Sequence, residues 1–206
     1  PDTFDYASVN PTASGGVFIT GSLRDGTVPT RSLGNRGFIA YLDQDLDLSW
    51  TLTSRLLKKP KLSIGFLRPF FHISDGVIDT EDGFLYIIGK YSGRHELDGY
   101  KLPTFDIGGN GPFWTTFMAK LDTLGNVIWT FATSPYDSSN AFKGFLGGAN
   151  NYVALDTNKN VYFSGAYQSG SFVIGPDSNK AFGKTDIFLA KVSDLSLRRD
   201  TNLAAA

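Results

Sequence analysis

Apolar residues along this chain fall in short runs that alternate with polar ones or consist of β-branched and aromatic side chains, and Gly or Pro interrupts nearly every run. That spacing fits the two-residue period of a strand and leaves no sustained 3.6-residue stripe for a helix. The expectation is an all-β chain with almost no helix. The runs also repeat. Val17-Phe18-Ile19-Thr20-Gly21-Ser22-Leu23, Leu85-Tyr86-Ile87-Ile88-Gly89-Lys90-Tyr91 and Val161-Tyr162-Phe163-Ser164-Gly165-Ala166-Tyr167 share one pattern, with Gly in the same place. Each is followed by a second run: Phe38-Ile39-Ala40-Tyr41-Leu42-Asp43, Phe117-Met118-Ala119-Lys120-Leu121-Asp122 and Phe188-Leu189-Ala190-Lys191-Val192-Ser193.

After two of these comes a further strand carrying Trp, and Phe38 to Trp50 and Phe117 to Trp129 both span 12 positions. Leu124-Gly125-Asn126 supplies a short hairpin turn before Val127-Ile128-Trp129. The repeated in-strand placement marks Phe38, Phe117, Phe188, Trp50 and Trp129 as core between units. Gly21, Gly89 and Gly165 give periods of about 68 and 76 residues, room for four strands of ordinary length with their turns. A four-stranded antiparallel unit is the blade of a β-propeller. The predicted organisation is one propeller-like repeat domain over residues 1–203, with units of approximately 1–54, 55–133 and 134–200; residues 204–206 are an uninformative Ala tail.

Asp156-Thr157-Asn158-Lys159-Asn160-Val161-Tyr162-Phe163-Ser164-Gly165, followed by Thr185-Asp186-Ile187-Phe188-Leu189-Ala190-Lys191, resembles the bacterial β-propeller repeat family labelled SBBP. The middle copy matches through Asp82 to Gly89, Phe117 to Asp122 and Gly125 to Trp129, while the first lacks the Lys and the third lacks the Gly-Asn hairpin and the Trp. The resemblance implies secreted or cell-surface proteins, frequently large and multidomain, with no shared catalytic residue.

Three blades do not comfortably close a ring, since propellers typically use four to eight. Where a third Trp strand is expected, the chain reads Leu195-Ser196-Leu197-Arg198-Arg199-Asp200. The array is therefore expected either to be part of a larger propeller or, as the favoured reading, to be completed by neighbouring chains. Their head-to-tail contacts would leave a filament open if the rotation does not close. From the repeated Gly to the following Phe the spans are 17, 28 and 23 residues. Binding or assembly contacts are accordingly expected on residues 24–37, 92–116 and 168–187, where Tyr100, Phe113 and Trp114 are candidate exposed aromatics.

Lys plus Arg number 19 against 20 Asp plus Glu, with no long run of either sign, so no electrostatic footprint for DNA or RNA exists. The absence of Cys removes disulfides, thiol catalysis and Cys-ligated zinc. No run of 18 apolar residues offers a membrane span. The chain opens on Pro1 without an uncleaved signal, which reads as a processed or excised chain.

Ser92-Gly93-Arg94-His95-Glu96-Leu97-Asp98 gathers a hydroxyl, an imidazole and two carboxylates, yet adjacency in sequence is not convergence in space, and a solvated loop is the expectation. His72, among Phe70, Phe71 and Ile73, reads as a partly buried structural histidine. Asp156-Thr157-Asn158-Lys159-Asn160 begins like a calcium loop but lacks the Gly and Glu that the motif requires, and Asp43, Asp45 and Asp47 repeat the spacing without the Gly. Asx-type turn chemistry is expected at both. Lys58-Lys59-Pro60-Lys61 reads as a solvated loop between units. No catalytic, cofactor-binding or metal-ligating residue is selected, and no cofactor is expected. The leading expectation is a non-enzymatic, secreted or cell-surface structural or adhesion subunit whose partners are copies of itself or other surface proteins. A carbohydrate-binding propeller module is the alternative, and a polysaccharide hydrolase or lyase on the same scaffold the third reading.

Overall fold

The computed structural model describes residues 3–24, 36–58, 70–103, 115–135, 151–168, 171–174, 177–180 and 185–192. Among them there is no helix, and every strand pairing is antiparallel. The first sheet is a meander of β1 (Thr3–Pro11), β2 (Val17–Arg24), β3 (Arg36–Leu42) and β4 (Leu48–Thr53). The chain then passes through β5 (Arg55–Lys58) into β6 (Phe70–Asp79) and β7 (Phe84–Ser92). A hairpin of β8 (Arg94–Leu97) and β9 (Tyr100–Lys101) intervenes before β10 (Thr115–Leu121) and β11 (Val127–Ala132). Strands β6, β7, β10 and β11 form the second sheet in that order.

After β12 (Ser134–Pro135) come β13 (Tyr152–Leu155), β14 (Val161–Gln168), the hairpin of β15 (Ser171–Ile174) and β16 (Asp177–Lys180), and β17 (Thr185–Val192). Here β13, β14 and β17 form a three-stranded sheet. The fourth strand expected from the repeat would follow Val192 and lies outside the described residues.

The repeated Gly stands opposite the repeated Phe in all three sheets: Gly21 pairs with Phe38, Gly89 with Phe117 and Gly165 with Phe188. In the second and third sheets the Phe ring leaves no room for a side chain. A Cβ on Gly89 would lie 2.7 Å from Phe117 and one on Gly165 2.8 Å from Phe188. The turns share a mechanism as well. The Asp43, Asp122 and Asp156 carboxylates each accept backbone N–H groups two and four residues on, at 2.8–3.0 Å, while the fourth residue of each turn, Leu46, Gly125 or Lys159, takes a positive φ. This five-residue turn is the Asx chemistry expected at the two calcium-like stretches. At Asp156 both oxygens are engaged, because Asn160 Nδ2 and the Tyr162 hydroxyl donate to Oδ2. Those donors hold its carboxyl below the usual range, the Asn160 side chain foremost.

Candidate assembly interface

In a strand, alternate side chains point to opposite faces, so each sheet has two faces that the pairing register defines. One, called the front, carries Val9, Ile19 and Ala40 across the first sheet, Gly76, Ile87 and Ala119 across the second, and Val153, Phe163 and Ala190 across the third. The back carries Ser8, Thr20 and Ile39, then Asp75, Ile88 and Met118, then Tyr152, Ser164 and Leu189. The sheets stack back to front. Phe18 and Ile39 from the back of the first join Ile73, Leu85, Ile87 and Phe117 from the front of the second in one core. Tyr86, Ile88, Met118 and Trp129 from the back of the second join Val153, Val161, Phe163 and Phe188 in another. Among the five aromatics expected to be core, Phe117, Phe188 and Trp129 are buried, whereas Phe38, on the outward front of the first sheet, and Trp50 are half-buried.

Polar contacts fix how each seam registers. In the first, Ser8 Oγ would lie 3.4 Å from a Cβ on Gly76, and Ser22 Oγ accepts the Ile73 amide at 3.2 Å beside His72 Nδ1 at 3.0 Å. In the second, the Val153 amide donates to Asp75 Oδ2 at 3.1 Å and Asn151 Nδ2 donates to the Gly89 carbonyl at 3.3 Å. Lys159 reaches back to the β6–β7 turn of the second sheet, 2.6 Å from Asp82 and 3.2 Å from Glu81. The hydrogen bond to Asp82 leads in raising its pKa.

Trp50 joins the first seam. Its Nε1 donates to the Thr123 carbonyl at 2.9 Å, and its ring lies so close over the next sheet's turn that a Cβ on Gly125 would be 3.1 Å from it. Trp50→Phe is expected to lower stability by about 1–2 kcal/mol, one hydrogen bond plus lost ring area, read as a lower urea midpoint; an unchanged midpoint would mean the contact contributes nothing. In the second sheet Trp129 is buried with Nε1 unbonded. The turn that would meet it by repeat follows β17, outside the described residues.

Two of the three segments expected to be variable loops, 92–116 and 168–187, contain hairpins that pair with chain from the sheet before. Strand β5, leaving the first sheet, adds to the β8–β9 hairpin of the second, with Arg55 bonded to Glu96 at 2.7 Å, and β12 adds to the β15–β16 hairpin of the third. These small sheets bind neighbouring sheets together within the chain. Residues 25–35, 104–114, 169–170, 175–176 and 181–184 of the expected loops, with Phe113 and Trp114, lie outside the described residues, as do Lys59, Pro60 and Lys61; Tyr100 is half-buried against the first core.

The solvated-loop expectation for Ser92 to Asp98 is overturned. His95 is 3% exposed, between Phe71 and Tyr91, with Nε2–H donating to the Ser92 carbonyl at 2.9 Å and Nδ1 unbonded. Burial pushes its pKa down to about 4, against the opposing effect of the Ser92 bond. Glu96 turns to Arg55 and Asp98 Oδ2 accepts the Val127 amide at 3.4 Å, so the two carboxylates are engaged apart from the imidazole. His72 is the half-buried histidine of the first seam.

Both faces of the second sheet are covered, while the outward faces of the flanking sheets each carry exposed apolar side chains. Val9 on the front of the first sheet is 63% exposed; Tyr152, Leu189 and Ile187 on the back of the third are 58%, 74% and 85% exposed. Their counterparts inside the stack, Met118 for Leu189 and Thr116 for Ile187, are buried. The sequence gives no cue to which faces these are until the stacking order is known. Compared with known proteins, the chain matches no protein-family model, and no curated protein matches it in sequence.

Proposed function

We propose that this chain is a non-enzymatic structural or adhesion subunit, secreted or displayed at a cell surface, that works through protein–protein assembly. Its stacked sheets are taken as successive blades of a propeller-like array of the SBBP kind, completed by neighbouring protein. The carrying observation is the exposure of Val9 at one end of the stack and of Leu189 and Ile187 at the other, on faces whose equivalents in the middle sheet are covered. Exposed apolar side chains gathered on one sheet face, as Tyr152, Ile187 and Leu189 are, support an interaction site there. Covering one Leu or Ile side chain fully contributes about 1.5–3 kcal/mol, so a few such residues drive association once a complementary face is met.

Light scattering across a concentration series, with electron micrographs of the same samples, tests this reading. Growth beyond the single-chain mass into rings or fibres is expected. A mass that stays at one chain up to high concentration would remove self-assembly as the function.

A further inference from the structure

We infer that the partner is a second copy of this chain, joined by stacking the back of its third sheet on the front of the next copy's first sheet, in the register of the two seams inside the chain. This rests on the assembly reading above and deepens it by naming the partner and the residues that meet.

The internal seams specify the contact. At the first, Ser8 and Asn10 of the first sheet's edge strand flank Gly76 of the facing front row, each 3.4 Å from its Cβ position, with Ser8 the member of the back row. At the second, Asp75 bonds the backbone of Val153. Ser8, Asp75 and Tyr152 hold one position in the three first strands, each paired to the residue just before the repeated Gly: Thr20, Ile88 and Ser164. Gly76, Val153 and Val9 likewise hold the neighbouring position, paired to Ile87, Phe163 and Ile19. A third seam of the same kind therefore sets Tyr152 of one copy against Val9 of the next. The whole back row Tyr152, Ser164 and Leu189 then lies over the front row Val9, Ile19 and Ala40.

The two surfaces belong together for a physical reason beyond both being apolar. At the third position of each seam a small front residue meets a larger back one: Ala119 lies in the core with Ile39, and Ala190 packs against the core that holds Met118. Ala40 on the outward front of the first sheet offers the same opening to Leu189 on the outward back of the third. Two fronts or two backs lack that match. The contact is consequently heterologous, which builds open chains or closed rings and not isolated two-fold dimers.

The chain has no Cys, so single introduced thiols report contacts without competition. Val9→Cys and Tyr152→Cys, each at a position more than half exposed, are mixed in equal amounts under mild oxidation. Expected is a mixed disulfide dimer formed at least tenfold faster than either variant's own dimer, with Leu189→Arg in the same chain as Tyr152→Cys reducing that rate at least tenfold. Thermal melts of all variants check that folding is unchanged. If wild-type mass grows with concentration but the mixed pair links no faster than the like pairs, assembly stands and this register is wrong. If mass does not grow and no pair links preferentially, both readings fall.

Discussion

Replacing Gly89 with Ala is expected to cost roughly 3 kcal/mol, the upper part of the usual range for overpacking, and to lower Tm by about 6–12 °C for a chain of this size. The added Cβ has two walls to meet. One is the Phe117 ring at 2.7 Å, the other the backbone carbonyl of His72 on the neighbouring strand, which lies closer still. A ring can tilt, but the carbonyl belongs to β6 and moves only with its sheet. Phe117→Ala combined with Gly89→Ala should therefore fail to recover stability. Gly165→Ala meets the same kind of ring at 2.8 Å, but its nearest neighbour is the Asn151 side-chain oxygen, whose displacement gives up a seam hydrogen bond to Gly89 and moves no strand, so a smaller loss is expected there. Gly99→Ala is the control: nothing lies within 4 Å of its Cβ, and the positive φ alone costs about 1 kcal/mol. Urea denaturation of the three single variants and the double variant measures the order. A Gly89→Ala midpoint close to wild type, or recovery by Phe117→Ala, would show that β6 accommodates the methyl group.

The same Gly was among the first things legible in the sequence, because a repeated Gly followed by a repeated Phe is visible without knowing that they pair. The structure adds the reason: each Phe stands across the ladder from the Gly, so the two positions are one feature written twice. The Asp-led turns were legible too, since an Asx turn is a local device and its residues are contiguous. What the sequence hid is non-local. Nothing in Arg55 to Lys58 announces that it pairs with a hairpin beginning at Arg94, for the pairing is decided by how two sheets sit together. His95 was misread for a related cause. A stretch of Arg, His, Glu and Asp looks solvated, yet strand alternation turns His95 and Leu97 inward and leaves Arg94 outside, with Glu96 at the rim beside Arg55. Period-two alternation over so short a strand is too brief to outweigh composition.

The stacking order also decides which exposed side chains carry meaning. Leu124 is 77% exposed, as much as Leu189, but it sits in a hairpin turn where scattered apolar exposure is ordinary. Leu189 and Ile187 lie on one face of one strand, at positions that the preceding sheet buries. Exposure alone would rank the three together. Position in the repeat separates them, which is why the proposed assembly is placed on the end faces and not on the turns.

Acidification from pH 7 to pH 5 is expected to remove about 2 kcal/mol of stability through His95, lowering Tm by roughly 4–8 °C. In the unfolded chain its imidazole takes up a proton near pH 6.5, whereas in the folded protein burial holds that step down to about 4. Between those values the unfolded state binds more protons, so stability rises with pH across the window and is drawn down as pH falls through it. The contribution is fully present above about pH 6.5 and, by pH 4, its loss approaches the order of 3 kcal/mol. The geometry agrees with a neutral ring. Nε2–H is spent on the Ser92 carbonyl, and Nδ1, enclosed with Phe71 and Tyr91, has no acceptor to receive a second proton's bond. His95→Phe keeps an aromatic ring there and gives up the Ser92 bond, a loss of about 1 kcal/mol at every pH. The difference in Tm between wild type and variant should therefore be constant above pH 6.5 and narrow or reverse below it. His72, the other histidine, is present in both proteins and cancels in that difference, and Asp156, whose carboxyl is held below the usual range, titrates beneath the window. Parallel Tm curves for the two proteins from pH 7 to 5 would mean that His95 gains a proton in the folded state as easily as in the unfolded one, and that the strand carrying it opens to water.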